Sequence, residues 1–264
     1  MIKLLKIEWL KVKNYRTFWI LSALFLISIY GINYITYEVQ STSRPKANPM
    51  ADAIIGTPPF QFPDVWHTVS YMSSFLLFIP GLLMIISMTN EYSFKTHRQN
   101  VIDGLSRTQF IMVKMVNVAI IAFISTLAVF LTALGFGLAE GASYFSFEKI
   151  EYIGYFFIQA LSYTGVALLF SVLFKRSGIA IGVFFLYVVV LENLLAGLLN
   201  RYVYGIGHYL PLESTDNLIP FPFFRNVVKQ FVTPPPTLYL LIAAVIYLAA
   251  YFFVCRRKFE TDDL

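Results

Sequence analysis

Hydrophobic positions in this chain are grouped into six long stretches that alternate with shorter polar segments. The stretches cover residues 17–37, 69–90, 113–138, 152–174, 178–199 and 237–255. A bilayer core about 30 Å thick needs about 20 consecutive apolar residues in a helix, and backbone groups in lipid must form their hydrogen bonds internally. The pattern therefore predicts an all-α, polytopic membrane protein with six transmembrane helices.

The basic residues are concentrated in every second polar segment. Most of the 20 Lys and Arg residues lie before the first stretch, between the second and third, between the fourth and fifth, or after the sixth. Because Lys and Arg in short loops mark the cytoplasmic side of a membrane, we expect both termini to be cytoplasmic.

Composition agrees with a single transmembrane domain over residues 1–264. The chain is 58% hydrophobic and only 13% charged, which is too apolar for an ordinary soluble domain. Its formal charge of +5 sits mainly at helix ends, where anionic headgroups attract it, so we expect no nucleic-acid partner. Cys255 is the single cysteine, which excludes an intrachain disulfide.

Residues 1–16, before the first stretch, are predicted to form a short helix at the membrane interface. On a helical wheel Ile2, Leu5, Trp9 and Val12 form one apolar stripe, with most lysines elsewhere. An apolar stripe beside a Lys-rich face is typical of interfacial helices. The alternative is that these lysines simply flank the first membrane span.

Proline marks three further segments. Several prolines between residues 38 and 68 predict an irregular outer loop. Pro80-Gly81 within the second stretch predicts a kink, which could be structural or could open a cavity. Residues 200–236 form the longest connection and are interrupted by prolines, so we interpret them as an extracytoplasmic re-entrant segment.

No reactive constellation is visible in the sequence. The three histidines lie far apart in loops, and no spacing of His, Cys, Asp and Glu suggests a metal site. A phosphate-binding GxxxxGK[ST] loop is also missing from the sequence. We therefore predict no catalytic residue, no metal ligand and no enzymatic activity for this chain.

Glu192 is the exceptional charge within the apolar stretches. It lies toward the outer end of the fifth stretch, and a carboxylate in lipid usually faces protein or water. It is therefore a candidate for lining a pathway or forming part of a gate. The alternative is an ion pair or a hydrogen bond that closes helix packing near the outer interface, for example with Arg201.

Residues 91–112 connect the second and third stretches and are longer than a simple turn requires. The segment offers an apolar face, with Lys95, Arg98, Gln99 and Asp103 available for polar contacts, and Gly104 suits the residue at the end of a short helix. Its apolar positions are Phe94, Val101, Ile102 and Leu105. Such a helix on the cytoplasmic side would suit a groove on a soluble protein, although a solvated loop lying on headgroups is the alternative.

Two segments carry a resemblance to a known family. The first contains Asn90-Glu91-Tyr92, Thr96 and Asp103-Gly104-Leu105-Ser106-Arg107, and the second reads LLFSVLFKRSG over residues 168–178. With the basic amphipathic start and the six stretches, they make the whole chain resemble the permease subunits of type-2 ABC transporters.

The resemblance implies the transmembrane subunit of an ATP-driven exporter in the bacterial cytoplasmic membrane. Its substrate would be a peptide, an antibiotic, a lipid or a polysaccharide. The implied partners are two ABC ATPase subunits, a second permease chain in a homodimer or heterodimer, and membrane lipid. ATP and Mg would bind to the ATPase subunits, so this chain would bind no cofactor itself.

The resemblance also assigns residues. The residues expected to couple to the ATPase are Glu91, Lys95, Thr96, Arg98, Gln99, Asp103, Gly104 and Arg107. The candidates for the pathway or gate, which ordinary helix packing could also explain, are Phe75, Phe78, Leu191, Glu192 and Leu194.

Two other classes of function compete with an exporter subunit. A self-sufficient channel or ion-coupled carrier would require more polar residues within the stretches, or internal symmetry. A membrane-embedded enzyme or assembly factor would, if it were an enzyme, require a reactive site.

Overall fold

All regular secondary structure in the described residues is helical. A computed structural model describes residues 2–43, 58–102, 104–140, 145–203, 205–223 and 235–261. Eleven α-helices lie in these residues: α1 Ile2–Lys13, α2 Arg16–Ser43, α3 Val65–Ser74, α4 Phe78–Ser93, α5 Thr96–Ile102, α6 Arg107–Ala139, α7 Glu151–Phe174, α8 Ser177–Leu186, α9 Glu192–Tyr202, α10 Glu213–Asp216 and α11 Thr237–Thr261. A π-turn, Tyr187–Leu191, joins α8 to α9, and a 3-10 turn, Ile206–Tyr209, precedes α10.

The helices have the length and apolar character predicted for membrane spans. Five of the described helical segments are long and apolar enough to cross a bilayer: α2, α6, α7, the joined α8 and α9, and α11. Counting the bent pair of α3 and α4 as one span raises the number to six. The all-α prediction is confirmed, and the helices match the predicted stretches closely in position.

The bend in the second span lies earlier than the sequence predicted. The helix axis turns by 49° between Ser74 and Phe78, whereas the kink was expected at Pro80-Gly81. Pro80 is instead the third residue of α4. Backbone N–H groups in the first turn have no partner within the helix, so proline costs little there.

Gly81 allows α4 and α8 to approach closely. A Cβ atom at this position would lie 2.3 Å from Cζ of Phe184, and the Phe184 ring is fully buried. The absence of a side chain at Gly81 therefore permits the ring to pack against the α4 backbone.

Replacing Gly81 with Ala is expected to lower the free energy of unfolding by about 1–3 kcal/mol, because the methyl group overpacks a rigid contact. Thermal unfolding of the purified protein in detergent measures the effect. Gly182→Ala is the matched control, since a Cβ there meets nothing within 4 Å. Equal melting temperatures for the two variants would contradict the close approach.

Helix α7 forms the centre of the bundle. In its most apolar 18-residue stretch 67% of the residues are buried, against 17% to 33% in the other single spans. It contacts α3, α4, α6, α8 and α11. The turn between α7 and α8 is short, as the sequence predicted, and the two helices pack side by side.

The start of the chain and the end of α11 lie at the same end of the bundle. The Arg107 guanidinium donates a hydrogen bond of 2.6 Å to the carbonyl oxygen of Glu260, and the rings of Phe110 and Phe259 stack at 4.7 Å. Lys114, one turn further along α6, contacts Glu8 of α1. We refer to this end as the terminal end and to the other as the distal end.

At the distal end, the start of α3 and the residue before it contact two connecting segments. Lys149 Nζ lies 2.7 Å from Oδ1 of Asp64, and the Trp66 indole donates a hydrogen bond of 2.9 Å to the carbonyl oxygen of Ser146. His67 Nε2 lies 2.6 Å from the carbonyl oxygen of Pro220. Pro220, in the connection before α11, therefore attaches that connection to α3. Residues 224–234 of the predicted re-entrant segment lie outside the described residues.

Candidate functional site

A cluster of four charged side chains, three of them buried and the fourth, Lys11, partly exposed, lies at the terminal end. Its centre is Lys114 of α6, whose side chain is 0% exposed. Its Nζ atom lies 2.6 Å from Oε2 of Glu8 in α1 and 2.7 Å from Oε1 of Glu91 in α4. The cluster therefore connects three helices through one lysine.

Lys11 completes the cluster and balances its charge. Its Nζ atom lies 2.7 Å from Oε1 of Glu91 and 3.0 Å from Oε1 of Glu8. Burial lowers the pKa of Lys11, but the carboxylates of Glu8 and Glu91 outweigh this effect, so the pKa is raised above its ordinary value. Two lysines thus face two glutamates, which is how buried charges are usually accommodated.

The buried charge cluster also holds the short helix α5. The Thr96 hydroxyl donates a hydrogen bond to Oε2 of Glu91. His97 Nδ1 lies 2.8 Å from the backbone carbonyl oxygen of Glu91, and because a carbonyl only accepts, this nitrogen carries the proton. Helix α5 is therefore linked through Glu91 to α1, α4 and α6.

The outer surface of α5 and its flanks is apolar and basic. Phe94 is 72% exposed and Ile102 is 77% exposed, so both project from the ends of the helix. Beside them lies a groove of about 500 Å³ whose lining includes four basic side chains: Lys95, Arg98, Lys175 and Arg176. We call this region the α5 surface, and its mixed character suits contact with another protein.

The predicted coupling residues fall into two groups. Glu91 and Thr96 face inward and belong to the buried charge cluster and its hydrogen bonds, so they contribute to the α5 surface only by supporting it. Arg107 binds the end of α11. The remaining described residues of the set are exposed or end the helix: Lys95, Arg98, Gln99 and Gly104.

Gly104 has the backbone conformation predicted for it. Its φ of +95° is in the left-handed region that favours glycine, and the N–H of Leu105 reaches back to the carbonyl oxygen of Asn100 at 3.0 Å. This arrangement ends α5 as a glycine C-cap does. Asp103 lies outside the described residues.

Sequence reasoning missed Glu8 and Lys114. Lys114 was treated only as one of the basic residues between the second and third stretches. It lies, however, inside the apolar run that begins at Phe110. A lysine within such a run is a signal for a buried partner. Glu8 is the only acidic residue before the first span, and this was the matching signal.

A second site is a cavity of about 450 Å³ toward the distal end. Among the predicted pathway residues, Phe75 and Phe78 line it, together with residues of α7, the π-turn and α10. Leu191 and Leu194 are 41% and 55% exposed and are not among the lining residues. We refer to this space as the distal cavity.

Glu192 is buried and fixes the segment around α10 to the fifth span. Its Oε1 atom accepts hydrogen bonds from the backbone N–H groups of Leu212 and Glu213. The described residues contain no ion pair between Glu192 and Arg201, so the suggested pairing was wrong. The observed contacts correspond to the packing alternative, with backbone donors in place of an arginine.

Asp216 is the acidic residue best embedded in the wall of the distal cavity. Its Oδ1 accepts a hydrogen bond of 2.7 Å from Gln159 Nε2, and its Oδ2 accepts one of 3.0 Å from the Tyr163 hydroxyl. Although partly exposed to the cavity, the carboxyl lies deep among its neighbours, and this burial raises its pKa to about 7.

Comparison with known proteins adds a family but no described activity. A family model described as "Protein of unknown function (DUF2705)" matches residues 50–264. No curated protein matches the chain.

Proposed function

We propose that this chain, a member of the DUF2705 family, is the membrane-spanning subunit of an ATP-driven exporter whose ATPase is a separate protein. In this proposal the terminal end is cytoplasmic and the distal end is extracytoplasmic. The described helices that are long and apolar enough to span a bilayer support a multi-pass membrane protein. The distribution of Lys and Arg in the sequence supports the orientation.

The observation that carries the proposal is the α5 surface, which the buried charge cluster holds in place. Phe94, which precedes α5, and Ile102, which ends it, are exposed where lipid-facing residues are not expected, between two spans and beside a basic groove. Large apolar side chains in such a position mark a site of protein contact. An ATPase docked there would contact the chain at the predicted coupling segment.

The buried charge cluster supplies a path from that surface into the spans. A displacement of α5 acts on Glu91 through Thr96 and His97, and Glu91 is bonded to Lys11 of α1 and Lys114 of α6. ATP binding in the partner would shift the permease only if the ATPase binds two arrangements of α5 with different affinity. A second permease chain completes the proposed assembly of two permeases and two ATPases.

Replacing both Phe94 and Ile102 with Ser is expected to weaken association with the ATPase by about tenfold or more, because central apolar contacts dominate interface energies. The measurement is co-purification of the chain with an ABC-type ATPase encoded beside it, and the ATP turnover of the resulting complex in liposomes. The charged groups of the buried cluster remain intact in this variant, so the protein should still fold.

Phe147→Ser provides the matched control. Phe147 is 60% exposed and lies near Lys149 at the distal end, away from the α5 surface. Association that is reduced equally by both changes, or by neither, would contradict docking at α5. Transport by the purified chain in vesicles without an ATPase would instead favour the self-sufficient carrier.

A further inference from the structure

We propose that the distal cavity binds an organic cation in which a protonated amine is attached to an apolar body. As a statement about what the exporter transports, this inference rests on the proposed function. As a statement about a binding site, it depends only on the residues that line the cavity.

A hydrogen-bond acceptor in the cavity wall lacks a partner. Asp216 accepts from Gln159 Nε2, and since a carboxylate attracts the donor end of an amide, this contact fixes the orientation of the Gln159 side chain. The opposite atom, Gln159 Oε1, is buried and has no hydrogen-bond partner among the described residues. Gln159 is only 3% exposed, so leaving this buried oxygen unsatisfied is unfavourable, and a donor in the cavity would reach it after a small shift of the Gln159 amide.

The charged groups of the cavity wall are all acidic. Glu213 and Asp216 line the distal cavity, whereas no Lys, Arg or His is among its described lining residues. Glu192 lies behind α10 and adds a third nearby carboxyl group, and each of these groups disfavours ionisation of Asp216. His208 lies near Glu213 but outside the lining. A ligand with a positive charge would relieve this repulsion.

The rest of the wall combines aromatic and aliphatic side chains with the neutral polar residues Ser74, Asn193 and Asn217. Five aromatic side chains line the space: Tyr71, Phe75, Phe78, Tyr163 and Phe221. Aromatic faces attract cations and also accommodate an apolar body, as in most small-molecule sites. A volume of about 450 Å³ lies in the range of such sites.

An organic cation fits this wall better than a metal ion does. The described residues contain no group of three or more His, Cys, Asp or Glu side chains arranged to hold a metal. Both carboxylate oxygens of Asp216 already accept hydrogen bonds. An ammonium group can donate to Glu213 and, after a small shift of the Gln159 amide, to Gln159 Oε1, while its apolar body contacts the rings.

The experiment uses the purified full-length chain in a neutral detergent without any ATPase. The probe is dansylcadaverine, a primary amine on an aromatic fluorophore, titrated at pH 8 while its fluorescence is recorded. We expect saturable binding that is about tenfold or more weaker for the N-acetylated, uncharged derivative, because it lacks the charge-assisted hydrogen bonds.

Glu213→Gln should weaken binding of the amine by about tenfold and leave binding of the acetylated derivative unchanged. Glu148→Gln is the control, since Glu148 is an exposed carboxylate near the distal end that does not line the cavity. Gln159→Met removes the unpartnered oxygen and should also weaken binding of the amine. It serves as the test variant if Glu213→Gln does not fold.

Equal affinity for the amine and its acetylated form, or no effect of either cavity variant, would overturn the inference and indicate partition into detergent. These results are independent of the proposed function. An intact ATPase complex with no amine binding would reject the cation site alone, whereas amine binding without any ATPase association would reject the exporter and leave the site.

Discussion

Replacing Lys114 with Met is expected to lower the free energy of unfolding by about 3–5 kcal/mol, because the change leaves the carboxylates of Glu8 and Glu91 facing a single lysine, Lys11, with one buried negative charge uncompensated. Lys114 is fully buried and is bonded to both Glu8 and Glu91. Methionine fills a similar volume, so the loss would come from the unbalanced charge more than from packing.

Thermal and denaturant unfolding in detergent would measure this loss. Lys6→Met is the matched control, since Lys6 belongs to α1 and is exposed, and a surface lysine contributes little. The double variant Lys114→Met, Glu91→Gln restores neutrality to the buried charge cluster and should be more stable than Lys114→Met alone. If Lys114→Met were as stable as Lys6→Met, the cluster would not be buried in the folded protein.

Stability should fall as the pH rises from about 4 to about 7, and the buried Asp216 is the cause. Its pKa is raised by burial from 3.8 to about 7 in the folded protein, so the folded state retains a proton that the unfolded chain releases. The contribution is complete below the unfolded pKa and is lost as the pH passes through the folded pKa. The slope is at most about 1.4 kcal/mol per pH unit.

Asp216→Asn isolates this effect. Other groups titrate in the same window, and the pKa of the neighbouring Glu213 is also raised by burial, so the wild type alone does not identify the residue. The difference in melting temperature between wild type and Asp216→Asn should change steadily between pH 4 and pH 7 and then level off. A difference that is constant with pH would contradict the assignment to Asp216.

The sequence predicts the helices well because membrane spans have a strong signal. Spans need long apolar runs, and each predicted stretch corresponds to one helix or, for the second and fifth stretches, to two consecutive helices. The short helix α5 and its end at Gly104 were also predicted, from an apolar face in the segment and from the position of one glycine. Both signals come from residues that are close in the sequence, so they can be recognised without knowing which helices are neighbours.

Pairings between distant segments could not be predicted in the same way. Glu8 and Lys114 are separated by 106 positions, and the sequence gives no register between α1 and α6. The same reason explains the error at Glu192, whose partners are backbone N–H groups of a segment about 20 residues away, while Arg201 was merely the nearest basic residue. Gln159 and Asp216 meet only after α7 and α10 are packed.

The π-turn at Tyr187–Leu191 has a consequence for how the fifth span tolerates change. Its wider winding accommodates one residue beyond the α-helical repeat, and successive helical residues differ by about 100° around the axis. Removing one residue from the π-turn would therefore restore α-helical winding and keep Glu192 near Leu212 and Glu213, whereas removing one residue from the regular winding of α8 would rotate Glu192 away from them. The shortened helix would still be apolar and long enough to cross a bilayer, so hydropathy alone would not reveal that the attachment of the fifth span to α10 had been lost.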